Sequence, residues 1–352
     1  MIVLGIESSC DETAAALVRE DGTVLADVVA SQIALHAPYG GVVPELASRA
    51  HLAAIGRVIA EAVAHLPGGL ADVDGIAVTE GPGLVGALLV GVQAAKAIAW
   101  ATNKPIVGVN HLDGHLLAVH LVREGLASTK PEYPYVALLA SGGHTALYRV
   151  DAPEEIVLLG QTRDDAAGEA YDKAAKLLGL GYPGGPVVDR LAAEGDPNAI
   201  PFPLPMQGRK DPEFSFAGLK TAVARWVDAN GVPTERSVLA DVCASFQRVV
   251  TETLVRKSVA ACLDEDVKRL VLTGGVAANR GLRALAAERC AKAGVELHVP
   301  PFASCTDNAA MIAYAGSFRL ARTGGAAPRV YSRDPARKRG RFREDGSLIP
   351  RK

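Results

Sequence analysis

The stretch Tyr135-Val136-Ala137-Leu138-Leu139-Ala140-Ser141-Gly142-Gly143-His144-Thr145 decides the fold, because it repeats the pattern with which the chain opens. In both places an apolar strand ends in a turn and two further strands follow, at 2–6, 13–19 and 23–30 and again at 135–140, 145–150 and 155–161. A strand, a Gly-rich turn and a helix come later in each half. This order predicts a duplicated α/β chain whose two similar sheet domains face each other across a cleft.

The repeat also predicts the domain limits. We expect residues 1–130 to form a first lobe, completed by a C-terminal helix at 300–325, and residues 131–300 to form a second lobe. The Pro-rich stretch 196–216 interrupts the second half and is predicted to be a surface insertion. The basic tail 329–352 lacks apolar periodicity and is predicted to be disordered.

Composition limits the class of protein. The chain has 352 residues, of which 49% are hydrophobic and 22% charged, so it is long enough for two cores. The net charge of −2 excludes a polycation, so any nucleic acid must bind a local basic patch or a partner. No signal peptide is expected, and the longest apolar run, 83–101, contains Gln93 and Lys96 and is predicted to be a core helix. Five scattered cysteines without a CxxC favour reduced thiols and a cytoplasmic protein.

The segment His111-Leu112-Asp113-Gly114-His115 can provide two metal ligands, because histidines four residues apart lie on one face of a helix. The spacing alone is weak evidence, since such pairs also occur on surfaces and in cores. Asp307 follows the strand predicted at 295–299, where a helix begins, and is the expected third ligand. The alternative is that Asp307 or Thr306 only caps that helix. Two histidines and one carboxylate with open positions would suit iron(II) or zinc.

Three Gly-rich turns follow predicted strands, at 80–83, 141–145 and 273–276. Glycine lets the backbone approach a phosphate, so three such turns in a duplicated chain favour a bound nucleotide, although many glycine pairs only form turns. Neither a Walker A loop nor GxGxxG after a strand is present. Asp172 lies about two turns into a predicted helix. With the 182–186 turn and Asp189, it could bind a ribose hydroxyl or a small polar substrate.

Several motifs together resemble the bacterial TsaD family, the tRNA threonylcarbamoyladenosine transferases formerly called O-sialoglycoprotein endopeptidases. The resemblance covers residues 1–325. The matching segments, in the family's order, are 5–13 (GIESSCDET), 40–49 (GGVVPELASR), 81–84 (GPGL), 111–115 (HLDGH), 141–145 (SGGHT), 214–221 (FSFAGLKT), 274–280 (GGVAANR) and 305–308 (CTDN). Two departures are small: Ala217 stands where many members have Ser, and Ala140 where Val is common.

This resemblance implies an α/β fold of the actin/Hsp70/sugar-kinase type, with the active site in the cleft between its lobes. It implies that His111, His115 and Asp307 bind one Fe²⁺ or Zn²⁺ ion. It also implies that an adenine nucleotide, threonylcarbamoyl-AMP or ATP, contacts a set of residues in the second half: Leu139, Ala140, Ser141, Gly142, Gly143, Asp172, Gly185, Asp189 and Asn279.

The reaction that the resemblance implies is transfer of the threonylcarbamoyl group from threonylcarbamoyl-AMP to N6 of adenosine 37, in tRNAs that read codons beginning with adenine. The implied partners are tRNA, a TsaB-like paralogue, a TsaE-like ATPase and a TsaC-type synthase that supplies the adenylate. The donor is an activated anhydride, so no covalent nucleophile is required, and a metal could act as Lewis acid on its carbonyl. Asp11 and Glu12 are the expected bases for the attacking amine, unless they only complete a hairpin.

Three other functions compete with this interpretation. A metallopeptidase is disfavoured because HLDGH lacks the Glu next to the first His of HExxH. An ATPase or sugar kinase of the same fold needs an Asp near the first turn, where this chain has Glu7-Ser8-Ser9. A binding scaffold with a structural nucleotide would keep full function after loss of the metal ligands.

Overall fold

The chain forms two α/β units in a computed structural model that describes residues 1–128, 130–335, 337, 340–342 and 348–349. The first unit contains residues 1–131 and 300–337, and the second contains 132–299 together with the described residues from 340 onward. The part of the predicted disordered tail at 336, 338–339, 343–347 and 350–352 lies outside the described residues.

The strands are β1 (Ile2–Glu7), β2 (Glu12–Arg19), β3 (Val24–Ser31), β4 (Gly75–Gly81), β5 (Ile106–Asn110), β6 (Tyr135–Ala140), β7 (Thr145–Ala152), β8 (Glu155–Gln161), β9 (Arg269–Thr273), β10 (Glu296–His298), β11 (Arg341–Phe342) and β12 (Leu348–Ile349). The helices are α1 (Ile33–His36), α2 (Pro44–Val63), α3 (Val85–Thr102), α4 (His111–Leu117), α5 (Ala167–Leu177), α6 (Gly184–Ala192), α7 (Ala217–Asn230), α8 (Arg236–Asp264), α9 (Arg280–Ala293), α10 (Phe302–Cys305) and α11 (Ala309–Thr323).

The two five-stranded sheets have the same topology, which establishes the predicted duplication. In the first unit the strand order is β3-β2-β1-β4-β5, and in the second it is β8-β7-β6-β9-β10. The first three strands of each unit pair antiparallel, and the last two extend the sheet in parallel from its first strand. The parallel strands of each sheet therefore end at one edge, where loops of α/β proteins collect functional residues.

Helices cover both faces of the first sheet. One face packs against α2 and α3, and the other against α11. At the second face the sheet and α11 approach closely because Gly5 has no side chain. A Cβ at Gly5 would lie 2.2 Å from the carbonyl oxygen of Ala309, so only glycine allows this packing. The close contact fixes the N-terminal end of α11 next to β1.

The predicted strands lie close to the observed ones. The strands at 135–140 and 155–161 have the predicted bounds, because each is an apolar run bounded by turn residues. Helix α2 ends at Val63 rather than 66, and β10 covers only three residues, Glu296–His298. The Pro-rich stretch 196–216 contains neither helix nor strand.

Residues 329–335 and 337, within the stretch predicted to be a disordered basic tail, make hydrogen bonds to the first unit. The backbone N–H of Tyr331 donates to the carbonyl of Glu80, and just before the tail the N–H of Ala326 donates to the carbonyl of Ile106. The Arg329 N–H donates to the Glu80 carboxylate. These contacts are polar and bind single residues to β4 and β5, so a search for apolar periodicity does not detect them.

Helix α3 is the one helix, among the described residues, that is long and apolar enough to cross a membrane. One such helix is weak evidence for a membrane span, because a core helix of a soluble protein can meet the same criterion. Here α3 packs against α2 and β4. One face of α3 is thus buried, as expected of the core helix predicted for residues 83–101, whereas Val85, Leu89 and Trp100 are exposed on the rest of it.

Candidate functional site

The histidine pair lies where β5 ends. Asn110 closes β5 and caps α4, because its side-chain oxygen accepts the N–H of Leu112 at 2.9 Å. His111 and His115 follow on one face of α4, with ring centroids 4.8 Å apart, and both are buried. The predicted helical placement of the pair is therefore present in the structure.

Asp307 approaches the pair from the loop before α11. Its Oδ1 lies 3.0 Å from Nε2 of His115 and 3.5 Å from Nε2 of His111. The N-cap of α11 is Asn308, whose side chain accepts the N–H of Met311. The alternative in which Asp307 or Thr306 caps this helix is therefore wrong, and Asp307 is directed at the histidines instead.

The donor atoms fit a metal ion. One ligand atom from each of His111, His115 and Asp307 lies within 4.8 Å of the other two. Two imidazole nitrogens and one carboxylate oxygen form a common ligand set for Fe²⁺ and Zn²⁺ sites that keep positions open for substrate.

Glu7 supports this site and was not predicted to do so. Its Oε2 lies 2.9 Å from Nδ1 of His111 and also accepts the hydroxyl of Thr79 at 2.6 Å. A carboxylate on the second nitrogen fixes the ring and leaves Nε2 for the metal. Glu7 ends β1, and β1 and β5 both pair with β4, so the ends of β1 and β5 are close. This role depends on the order of the strands in the sheet, for which the sequence around Glu7 has no local signal.

The carboxylates also control the charge of the metal-free site. Burial alone would lower the pKa of His111, but Glu7 and Asp307 outweigh it and raise the pKa to about 9. Burial would raise the pKa of Glu7, yet the charge and hydrogen bond of His111 lower it. His111 is therefore protonated near neutral pH in the metal-free site, and a metal ion at Nε2 would take the place of that proton while Glu7 stays on Nδ1.

Asp11 and Glu12 lie at the turn between β1 and β2, where Glu12 is the first residue of β2. Burial, together with the nearby Asp11 and Asp307 carboxylates, raises the pKa of Glu12 to about 7. Burial and Asp307 also raise the pKa of Asp11. Oε1 of Glu12 accepts the hydroxyl of Ser31 at 2.9 Å, whereas Oε2 is buried without a hydrogen-bond partner among the described residues.

The Gly-rich loop of the second unit leaves open space. Leu139 and Ala140 are fully buried in β6, so only their backbone could contact a ligand. Ser141 closes a turn with His144, and its carbonyl accepts the N–H of Gly168 near the start of α5. A Cβ at Gly142 or Gly143 would meet no atom within 4 Å.

The other residues expected to bind nucleotide make hydrogen bonds within the second unit. Oδ1 of Asp172 accepts the N–H of Gly184 at 2.7 Å, at the start of α6. Asp189 pairs with Arg280 at 2.8 Å, and its Oδ1 also accepts from Gln247. The Gln247 side chain accepts from the amide of Asn279 at 2.6 Å, so it links two of the expected residues although it was not predicted itself.

Gly185 is the second residue of α6, directly after Gly184. A Cβ there would meet no atom within 4 Å, as at the loop glycines. The turn at 80–83 differs, because protein fills it: a Cβ at Gly81 would lie 2.3 Å from the carbonyl oxygen of Tyr331, and one at Gly83 would lie 2.6 Å from that of Ser9. This turn has a packing role, whereas the turn at 141–145 has room for a ligand.

Comparison with solved structures confirms the fold class. The chain aligns with the full-length HypF crystal structure, described as phosphate- and nucleotide-bound, at a TM-score of 0.59, covering 92% of this chain and 47% of HypF at 12% identity. It aligns with the activator of the 2-hydroxyisocaproyl-CoA dehydratase from Clostridium difficile, described with bound ADPNP, at a TM-score of 0.52, covering 93% and 98% at 14% identity. Both likenesses concern the fold, a duplicated α/β architecture of the actin/Hsp70/sugar-kinase class.

Comparison with known sequences shows the family. A family model described as TsaD, tRNA N6-adenosine threonylcarbamoyltransferase, matches residues 23–314. The protein of that name from Sorangium cellulosum (strain So ce56) is 62% identical over 329 residues, covering 91% of this chain and 92% of the relative. The one from Anaeromyxobacter dehalogenans (strain 2CP-C) is 54% identical over 335 residues, covering 95% and 98%. The chain therefore belongs to the TsaD family of tRNA N6-adenosine threonylcarbamoyltransferases, enzymes that transfer an acyl group to tRNA.

Proposed function

We propose that this enzyme transfers the threonylcarbamoyl group from threonylcarbamoyl-AMP to N6 of adenosine 37, in tRNAs that read codons beginning with adenine. Family membership supports threonylcarbamoylation of tRNA adenosine. The observation that carries the mechanism is the convergence of His111, His115 and Asp307 at one edge of the first sheet.

The proposed metal is Fe²⁺, with Zn²⁺ as the alternative, because the ligand set suits both ions. When bound with open coordination positions, such a metal supplies Lewis-acid polarisation of a carbonyl group. Glu7 holds Nδ1 of His111, so that Nε2 of this residue faces the ligand position. Glu7 is itself buried and hydrogen-bonded, so it holds the His111 ring in the orientation for metal binding before the ion binds.

The proposed base is Glu12, with Asp11 as the alternative. In the transfer, N6 of adenosine forms a bond to the carbamoyl carbon, and the bond from that carbon to the phosphate oxygen of AMP breaks. The proton lost from N6 requires an acceptor. A carboxylate whose pKa is raised to about 7 suits this task near neutral pH, and Oε2 of Glu12 lacks a hydrogen-bond partner among the described residues.

The adenylate is proposed to bind the second unit through the set Leu139, Ala140, Ser141, Gly142, Gly143, Asp172, Gly185, Asp189 and Asn279. The open space beside Gly142, Gly143 and Gly185 supports a role for their backbone, because a phosphate or ribose could approach it closely. The buried side chains of Leu139 and Ala140 restrict these two residues to backbone contacts. Asp189 already pairs with Arg280, so a ligand would share or replace that ion pair.

The proposed partners are tRNA, a TsaB-like paralogue, a TsaE-like ATPase and a TsaC-type synthase that makes threonylcarbamoyl-AMP. The family resemblance supports all four, and the tRNA substrate follows from the activity named for the relatives. We place the protein in the cytoplasm, where tRNA is modified. The five cysteines are free thiols, as that compartment allows.

Nucleoside analysis tests the reaction. Unmodified tRNA is incubated with the full chain, the proposed partners and threonylcarbamoyl-AMP, then digested and analysed by mass spectrometry for threonylcarbamoyladenosine. The wild-type chain should form the product, whereas His111→Ala should lose both metal content and transfer. His65→Ala is the matched control, because His65 is exposed in the same unit.

The two parts of the proposal fail differently. If the wild-type chain forms no threonylcarbamoyladenosine, the proposed reaction is wrong. If His111→Ala transfers as fast as the wild type, the reaction stands and the metal mechanism is wrong.

A further inference from the structure

A C-terminal strap, defined as residues 326–335 with Arg337, follows the ends of β4 and β5 towards α4. Three backbone N–H groups attach it to these strands. Those of Ala326 and Tyr331 donate to carbonyls of Ile106 and Glu80, and that of Arg329 donates to the Glu80 carboxylate at 2.8 Å. The strap therefore has a defined path before it reaches the helix that carries the histidines.

At its end the strap contacts α4 at two points. Asp334 accepts the side-chain amide of Asn110, the N-cap of α4, at 2.6 Å. Arg337 donates from Nη1 to the carboxylate of Asp113 at 2.7 Å, and its Nε donates to Asp334 at the same distance. The Arg337 side chain is 12% exposed, so this fork is largely shielded from water. The N-cap and the first turn of α4 are thus joined through a single arginine.

We propose that Arg337 is a positioning residue for the metal site, and that it orients His111 and His115 by holding α4 through Asp113 and Asp334. This inference rests on the metal site proposed above. Arg337 binds Asp334 and Asp113, and Asp113 lies between the two histidines in the sequence. Arg337 therefore acts on His111 and His115 through α4.

The length of α4 explains why the helix needs such support. It has seven residues, and a helix of two turns has little stability of its own. A rotation of the helix about its axis would move both imidazoles away from Asp307. The contacts of Asn110 and Asp113 with the strap oppose this rotation, and so does the contact of Glu7 with His111. Groups that orient metal ligands in this way change metal affinity about 10–100-fold when they are removed.

The planar guanidinium of Arg337 is suited to this role. It reaches Asp334 and Asp113 with different N–H groups, a fork that an ammonium group on a flexible stem cannot reproduce. Lysine at this position would keep the charge and one contact. We therefore expect Arg337→Lys to hold α4 in part. Arg337→Met has a side chain of similar length without the charge, and we expect it not to hold α4 at all.

Metal titration of the full chain tests the inference without relying on catalysis. The metal-free protein is titrated with Co²⁺, and the dissociation constant and the visible absorption spectrum are recorded beside the thermal midpoint without metal. Arg337→Met should raise the Co²⁺ dissociation constant about 10–100-fold and alter the spectrum, with Arg337→Lys in between. Arg333→Met is the matched control, because Arg333 is an exposed arginine of the same strap.

A purely structural role predicts another result. If Arg337→Met lowers the thermal midpoint but binds Co²⁺ as tightly as the wild type, the inference is overturned. Should Arg337→Met fail to fold, Asp334→Asn replaces it, and a wild-type Co²⁺ affinity in Asp334→Asn overturns the inference equally. A wild-type chain that binds no Co²⁺ would instead remove the metal site itself, and the inference with it.

A double variant tests the route through Asp113. In an Asp113→Asn background, Arg337→Met should cost much less Co²⁺ affinity than in the wild type, because the ion pair is already absent. An equal decrease in both backgrounds would show that Arg337 does not act through Asp113, and would overturn the proposed route.

Discussion

Oε2 of Glu7 lies 2.9 Å from Nδ1 of His111, and this contact turns Nε2 of the ring towards Asp307. The same carboxylate accepts the Thr79 hydroxyl and the backbone N–H of Ser9, so it is fixed at the ends of β1 and β4. A buried carboxylate held by several donors has little freedom to move. The positions of β1 and β4 therefore determine where Glu7 holds the ring of His111 in the proposed metal site.

Glu7→Gln should weaken metal binding. Glutamine has a similar shape, but it lacks the charge that makes the imidazole a stronger ligand. We expect the dissociation constant for Zn²⁺ or Co²⁺ to rise about 10–100-fold, measured by competition with a chromophoric chelator. Glu61→Gln, on the exposed face of α2, is the control. A wild-type affinity in Glu7→Gln would show that Glu7 supports the fold alone.

The convergence of His111, His115 and Asp307 was predictable from sequence because each residue has a local signal. The histidine spacing marks one face of a helix, and Asp307 follows a strand in the second half of the duplicated pattern. Strand bounds such as 135–140 were predictable for a similar reason, since turn residues interrupt apolar runs there.

The supporting residues had no such signal. Glu7 meets His111 across 104 positions of sequence, and Arg337 meets Asp113 across 224. Each is a charged residue, a type that is usually exposed to solvent. Its partner is distant in sequence and becomes a neighbour only through the tertiary fold. Gln247, within the long helix α8, is of the same kind, because its contacts with Asp189 and Asn279 depend on how three helices meet.

Glu12 should give the pH–rate profile an acidic limb near pH 7. Burial raises the pKa of Glu12 to about 7, and the residue can accept a proton only when ionised, so kcat/KM should rise as pH increases through this value. Glu12→Gln should lower kcat/KM and remove the limb, measured in the tRNA assay between about pH 5.5 and 9. Glu124→Gln, an exposed residue of the same unit, is the control.

The same substitution should have the opposite effect on stability. The folded state raises the pKa of Glu12, so it favours the protonated form. Stability is then greatest below the ordinary glutamate value of 4.5 and decreases as pH rises through about 7. Glu12→Gln should therefore raise the thermal midpoint above that of the wild type at pH 8, and by less at pH 5. If Glu12→Gln is less stable than the wild type at pH 8, the carboxylate is not destabilised by burial.

Arg123 should stabilise the segment that carries Asp307. It pairs with Asp27 at 2.6 Å and donates to the hydroxyl of Ser304 at 2.8 Å, in α10 just before Asp307. Arg123→Met would leave Asp27 as a buried carboxylate without its partner, and burial already raises the pKa of Asp27. We expect the free energy of unfolding to fall by about 3 kcal/mol, measured with urea. Metal affinity should fall as well, because the loop before Asp307 is less well held.

A double variant distinguishes the effect of the unpaired Asp27 charge from the effect of losing the Arg123–Ser304 hydrogen bond. Asp27→Asn with Arg123→Met removes the unpaired charge, so it should recover part of the free energy of unfolding that Arg123→Met loses. Metal affinity should stay low in both variants, because Ser304 remains without its donor. Full recovery of metal affinity in the double variant would contradict a positioning role for Arg123.

Truncation after Arg337 should weaken tRNA binding without changing metal binding. The residues beyond it include Lys338, Arg339, Arg341, Arg343, Arg351 and Lys352, which can neutralise phosphates, whereas the strap before it contacts α4. For every phosphate that is no longer neutralised, the slope of log K against log salt should become shallower by about 0.7–0.9. Truncation after Arg329 should lower Co²⁺ affinity as well, because Asp334 and Arg337 are then missing. The two truncations are compared by filter binding at several salt concentrations, and by Co²⁺ titration. Equal tRNA affinity and salt slope in the wild type and the chain ending at Arg337 would show that the tail does not contact tRNA.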